Sequence, residues 1–326
     1  MSVISPAKTF TVKCPVCSTG SSTFLFSFGT SLFPINISMC NNCGFVFQNP
    51  RVSEQDWNNY YETGVYDKFH RPISVKGEKP VNTIGVLTYN RVWGFISHSS
   101  DAQHSLAADF NKTGSKINIC EVGAGHGDII TSFKGANLFA IEPSENCRNN
   151  LRQKGITVIG KSINSINKNI KFDIILMRHV LEHIYYPKKL LDDIIFLLSD
   201  NGIFYIAVPN ILVPNYLDSF TYPHISHFSK YSLTYLCQHA GFEVCKIQEE
   251  NDEIWCILKK IRMNKEKSLQ DNKNLLGKNI EETRRVFQTY KNYPKLLKRS
   301  TMRTISNIIP LRLLMYIYER RNKMTE

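Results

Sequence analysis

Ile117-Asn-Ile-Cys-Glu-Val-Gly-Ala-Gly-His-Gly-Asp128 is the stretch on which the fold turns. Its apolar run, Ile117 to Val122, breaks into glycines at 123, 125 and 127 and then into the helix-compatible stretch Ile129 to Lys134. A short apolar run ending in glycine reads as a buried strand of a parallel sheet. A glycine turn after such a strand lets backbone N–H groups and a helix N-terminus approach a nucleotide ligand closely. The turn alone does not choose the ligand, because dinucleotide sites use a similar one. Their fingerprint, however, asks for glycine at the position held here by Asp128.

Downstream, the pattern repeats. A second strand, Leu138 to Ile141, ends at Glu142, whose carboxylate can accept hydrogen bonds from both hydroxyls of a ribose. Ser144 is placed to cap the next helix and Gly155 to stop it. Ile156 to Ile159, Phe172 to Met177 and Ile203 to Val208 read as further strands, with an amphipathic helix over Pro187 to Leu198. This alternation predicts an α/β, Rossmann-like doubly wound sheet, mostly parallel, with ligands at the carboxyl ends of its strands.

Glu121-Val-Gly-Ala-Gly-His-Gly127, Ala140-Ile-Glu-Pro-Ser144 and Phe172-Asp-Ile-Ile-Leu-Met-Arg-His-Val-Leu-Glu-His183 resemble the motif series of class I S-adenosylmethionine-dependent methyltransferases. Ala240-Gly-Phe-Glu-Val244 and Glu253-Ile-Trp-Cys-Ile-Leu258 resemble that fold's closing helix and antiparallel last hairpin. The resemblance spans residues 116–259. It implies S-adenosylmethionine as cofactor, which offers an ammonium, a carboxylate and a ribose diol but no pyrophosphate. Gly123, Gly125 and Gly127 would shape its loop, Glu142 would hold the ribose, and Glu121 would orient the loop near the ammonium. Ser162, in Gly160-Lys-Ser162, is assigned to adenine, and Arg178 is counted among the cofactor residues.

Toward the N-terminus, Cys14-Pro-Val-Cys17 and Cys40-Asn-Asn-Cys43 form a matched pair of CxxC turns. Two such turns can complete a tetrahedral four-thiolate site, the closed geometry of structural zinc. Gly44 can supply the positive φ that such a knuckle wants. Phe24, Leu25, Phe26, Phe28, Leu32 and Phe33 can cover a metal-held hairpin too small to fold alone. With this module the chain is most similar to a subgroup that includes sugar C-methyltransferases and other glycan-modifying enzymes. Those sugar C-methyltransferases carry a large third domain, where residues 260–326 stand here. After the module, Trp57, Tyr60, Tyr61 and Tyr66 make an aromatic arm, read either as a packing helix or as a lid over the cofactor. Residues 67–115 read as a helical connector, with Val86, Leu87, Val92, Trp93, Phe95 and Ile96 as its buried face.

Histidine suits proton transfer near neutral pH. His179 follows the fourth strand, where cofactor and acceptor meet in this fold, and His183 with Glu182 can anchor the same loop. Tyr222-Pro-His-Ile-Ser-His-Phe-Ser229 resembles the segment that carries the catalytic histidine of sugar C-methyltransferases. His224 matches that base; Pro223 stands where those enzymes carry glutamate, and His227 replaces a tyrosine. The catalytic candidates are therefore His224, His227 and His179.

The 326 residues carry a net charge of +12, unevenly placed. From Lys259 onward lie 18 of the 40 Lys and Arg but only 6 of the 28 Asp and Glu, so the preceding body is neutral. That disfavours a body-wide nucleic-acid surface. Arg284-Arg285, Lys298-Arg299 and Arg320-Arg321, interleaved with apolar residues, read as a basic helical extension. It would pack on the core or another subunit, or touch an anionic membrane. Met1 to Lys13 has no apolar signal core, and no run approaches the ~20 residues of a transmembrane helix, so the chain reads as cytoplasmic, peripheral at most to the inner membrane face. The expected organisation is a zinc module with aromatic arm over 1–66, a connector over 67–115, the methyltransferase domain over 116–259 and the extension over 260–326. The expected activity is methyl transfer to a small polar acceptor, a sugar or sugar nucleotide of surface polysaccharide. An RNA or protein methyltransferase and an inactive zinc-stabilised scaffold are the alternatives.

Overall fold

Strands that alternate apolar residues onto both faces need cover on both sides, and the computed structural model supplies it. It describes residues 8–30, 33–62, 83–97, 116–167, 169–213, 220–261 and 269–291. The central sheet has seven strands: β6 (Asn118–Val122), β7 (Asn137–Ile141), β8 (Thr157–Gly160), β9 (Phe172–Arg178), β10 (Leu198–Pro209), β12 (Phe242–Glu250) and β13 (Glu253–Lys260). Their spatial order is β12-β13-β10-β9-β6-β7-β8. β8, β7, β6, β9 and β10 run parallel, while β13 is antiparallel to both β10 and β12. The order reverses between β6 and β9, the switch point where α/β sheets bind ligands.

One face of the sheet, with Ile119, Ile174, Leu176, Tyr205 and Ile257, packs under α2 (Thr83–Ser97). The other, with Cys120, Ile175, Met177, Phe204 and Ile206, packs under α4 (Pro187–Leu197) and α5 (Lys230–His239). Ser144 caps α3 (Glu145–Gln153) by accepting from the Cys147 N–H, and Gly155 follows its end at φ +75°. Two local expectations fail. The stretch after the glycines is one 3₁₀ turn, Ile130–Ser132, because Gly135 leaves too few residues for an α-helix. Val86 is 51% exposed; the buried side of α2 is Gly85, Thr88, Arg91, Val92 and Ile96.

The N-terminal part is less separate than its cysteines suggest. β2 (Ser22–Thr30), β3 (Phe33–Cys40) and β4 (Val46–Gln48) form an antiparallel sheet whose fourth strand, β11 (Ser226–His227), comes from the loop after β10. Preceding this sheet, β1 (Thr9–Phe10) pairs with β5 (Arg51–Val52), and α1 (Glu54–Glu62) follows. Cys14, Cys40, Phe45 and Phe47 share one apolar cluster with Phe204, Phe228 and Leu233 of the core.

One part of the expected C-terminal extension, residues 269–291, enters this junction. α6 (Leu269–Lys291) packs on α5, and its Asn279 Nδ2 donates to the Cys43 carbonyl at 2.7 Å. Ser229, the cap of α5, donates to Asn279 Oδ1, and Phe287 packs on Phe26 and Phe220. Among the described residues no helix is long and apolar enough to cross a membrane. Tyr66 and the basic pairs at 298–299 and 320–321 lie outside the described residues.

Candidate active site

The loop after β6 opens by left-handed backbone at Gly123 (φ +72°), Gly125 (φ +56°) and Gly127 (φ +82°). A Cβ on Gly123 would lie 2.5 Å from Val180 Cγ2, and one on Gly127 would lie 2.8 Å from Leu151 Cδ2. Glycine is needed there for space as well as for φ. Glu142 braces this loop: its Oε2 accepts from the Gly125 N–H at 2.7 Å, and its Oε1 accepts from the Ser144 N–H at 2.9 Å. Each oxygen keeps a lone pair, so a diol can still be received. Glu121 is buried and accepts from the Ile130 N–H at 3.1 Å; burial drives its carboxyl well above the ordinary range. Its place is beneath the loop, tying the 3₁₀ turn to β6.

A cavity of about 330 Å³ lies at the carboxyl ends of the strands. Its floor is Val122, Gly123, Ile141 to Ser144 and Lys161 to Asn164, so Glu142, Gly123 and Ser162 border one space. Gly125 and Gly127 do not line it; they shape the loop and seat α3. Across from the floor, Glu54, Trp57, Asn58 and Tyr61 line the cavity from α1, and Tyr186, Lys189, Leu190 and Asp193 from the start of α4. Both sets follow i, i+3, i+4, i+7 spacing, one face of a helix. The sequence carried that spacing, but an aromatic helix face reads first as core. The arm does both: Tyr60 is buried, Trp57 Nε1 donates to the His183 carbonyl at 2.7 Å, and Tyr61 faces the cavity.

The predicted catalytic histidines separate. His179, at φ +52°, lines the cavity and sits 3.2 Å through Nε2 from Glu253 Oε2. His183 also lines it. His224 stands behind His183, with ring centroids 4.8 Å apart. His227 is brought elsewhere: it is buried in β11 against Phe220, at 4.5 Å between ring centroids, and does not border the cavity. Burial holds its imidazole well below the ordinary value, with nearby His224 adding to the effect. Arg178 likewise turns from the cavity, because Glu253 captures it at 2.8 Å. Glu253 also receives Arg91 at 2.5 Å. Burial opposes ionisation of Glu253, but hydrogen bonds from His179 and Arg91 and the Arg178 charge hold its carboxyl down at about 2. Nothing within residues 172–183 signals this, since Glu253 comes from the last strand.

Glu182 was legible only as a loop anchor. Its carboxylate is 1% exposed, lies among His183 and His224, and is pushed up to about 7 by burial.

The four N-terminal cysteines converge. Their Sγ atoms lie within 4.8 Å of one another, with Cys14–Cys43 at 3.6 Å and Cys17–Cys40 at 3.5 Å. A tetrahedral ion with metal–sulfur bonds of ~2.3 Å needs sulfur separations of roughly 3.8 Å, so the donor set suits zinc.

Residues 98–247 match the family model of a methyltransferase domain. A comparison with curated proteins finds no match. Among solved structures, the chain is similar to an S-adenosylmethionine-dependent methyltransferase from Clostridium acetobutylicum at 13% identity and TM-score 0.38, covering 53% of this chain and 98% of that one. It is similar to another from Thermotoga maritima at 18% identity and TM-score 0.38, covering 54% and 96%. A glycopeptide N-methyltransferase complexed with sinefungin aligns at 11% identity and TM-score 0.37, over 50% and 96%. The match over residues 98–247 marks that part of the chain as a methyltransferase domain.

Proposed function

We propose that this methyltransferase acts on a small polar acceptor of carbohydrate type, a sugar or sugar nucleotide destined for surface polysaccharide. The observation that carries the reading is the pair of helix faces opposite the cofactor floor. Trp57, Tyr61 and Tyr186 offer aromatic surfaces, while Glu54, Asn58, Lys189 and Asp193 offer donors and acceptors. Flat apolar surface ringed by hydrogen-bonding groups suits a ring with apolar faces and a polar edge. In this reading S-adenosylmethionine supplies the methyl group, with Glu142 receiving the ribose diol and Lys161 to Asn164 bordering the adenine. The acceptor's hydroxyl is activated beside Glu182, His183 and His224, of which His183 reaches the cavity. Glu182 takes the place of the carboxylate partner absent at Pro223.

We also assign zinc to Cys14, Cys17, Cys40 and Cys43. The closed donor set leaves no position for substrate, so this zinc is structural. The positive charge of residues 292–326 suits contact with an anionic membrane, where lipid-carried glycans are assembled. The test is transfer of an isotope-labelled methyl group to a panel of nucleotide sugars, read by mass spectrometry. Labelled sugar is the expected product; label found only in RNA or protein would replace the carbohydrate reading with the polymer one.

A further inference from the structure

Both oxygens of Glu182 are buried without a hydrogen-bond partner. A carboxylate placed so is costly unless a positive charge accompanies it. Two imidazoles stand beside it, and one ligand atom each from Glu182, His183 and His224 lies within 4.8 Å of the others. The tautomer of His183 sharpens the problem. Its Nδ1 is 2.7 Å from the Pro223 carbonyl oxygen, which only accepts, so Nδ1 carries the hydrogen and, in the neutral ring, Nε2 holds a lone pair. That Nε2 is 3.9 Å from Glu182 Oε1. A cation answers this contact, either a proton on the imidazole or a metal ion, and metal bonds of about 2.1 Å to each atom reach across the gap. An Nδ1–H held by a backbone carbonyl is also how metal-binding histidines are commonly oriented from outside the coordination sphere.

We propose that Glu182, His183 and His224 form a site for a divalent transition cation of the zinc class, with its open position toward the cavity. Two imidazoles select such an ion over magnesium, which favours oxygen ligands. Three protein ligands leave a position that the four-cysteine site lacks. Resting on the methyl-transfer reading, that position takes the acceptor's hydroxyl oxygen and lowers its pKa. The O–H proton leaves to water and the oxygen forms its bond to the methyl carbon. The S–CH₃ bond breaks with its electron pair remaining on sulfur.

The test uses the full-length protein loaded with zinc, dialysed against zinc-free buffer and assayed for metal per chain by plasma mass spectrometry. Glu182→Gln and His224→Asn are each expected to hold one equivalent less than the wild type, whatever the cysteine set retains. Equal metal content in wild type and variants overturns the proposal. Should Glu182→Gln fail to fold, His224→Asn, at a half-buried position, carries the comparison. Calorimetry with S-adenosylhomocysteine runs in parallel, with variant affinities expected within twofold of the wild type. A wild type that binds zinc here but not S-adenosylhomocysteine would leave the site standing and remove the methyl-transfer reading.

Discussion

Two knuckles built on the same spacing show how one residue is chosen. Ser18 follows the first CxxC at φ +61° and Gly44 follows the second at φ +70°, so both turns use the left-handed region. Only the second must be glycine. A Cβ on Gly44 would sit 2.8 Å from the backbone of Ile280 in α6. Gly44→Ala should therefore cost ~1–3 kcal/mol in urea unfolding, through overpacking against backbone that cannot swing aside. Ser18→Ala, which keeps a Cβ in the same conformation, should cost less. Glu253 makes the second case at this scale. Its carboxyl is held at about 2, below the ordinary 4.5, so the stability it gives is complete above 4.5 and is lost as pH falls toward 2. Glu253→Gln should cost ~3–5 kcal/mol near neutral pH, because buried Arg91 loses one of its two carboxylates and Arg178 the one that holds it, and the penalty should shrink on acidification. Urea midpoints measured from neutral pH down through this window check both statements.

At the scale of elements, most of the sheet could be read directly. Strands with near-continuous apolar runs, such as Phe172–Arg178, fall within a few residues of expectation. What could not be read depended on partners far along the chain. Arg178 next to the cofactor loop resembles a ligand residue until Glu253, 75 positions later, takes its guanidinium. Glu182 resembles a loop anchor until the segment from Pro223 to Ile225 encloses it. The cavity-facing side of α1 was visible as a helical stripe, but nothing local distinguishes a stripe facing a core from one facing a cavity. That distinction is testable. Tyr61→Ala should raise the KM for the acceptor about tenfold, roughly 1.4 kcal/mol, and leave S-adenosylmethionine affinity within twofold. Steady-state kinetics with labelled cofactor, set beside calorimetry, separates the two.

For the whole molecule, the main finding is that the N-terminal sheet, the central domain and α6 meet at one junction. β11 of the catalytic half completes the N-terminal sheet, and Asn279 of α6 ties the second cysteine knuckle to the cap of α5. Removal of zinc should therefore loosen more than the hairpin. With a chelator present, hydrogen exchange should rise in residues 22–48 and in α6 together, while the central strands β6, β9 and β10 stay protected. Exchange confined to the hairpin would contradict this coupling. The cavity lies between α1 and the strand ends, and α1 follows directly on the N-terminal sheet that carries the cysteines. In the proposed reading, cofactor binding rests on the loops at the sheet's edge: the glycine loop, the Glu142 brace and Lys161 to Asn164. The most direct test is a calorimetric titration of folded, zinc-loaded protein with S-adenosylmethionine, repeated on Glu142→Ala. One site per chain is predicted, weakened more than tenfold by the substitution through lost ribose hydrogen bonds; no binding, or equal affinity in the two proteins, would contradict it.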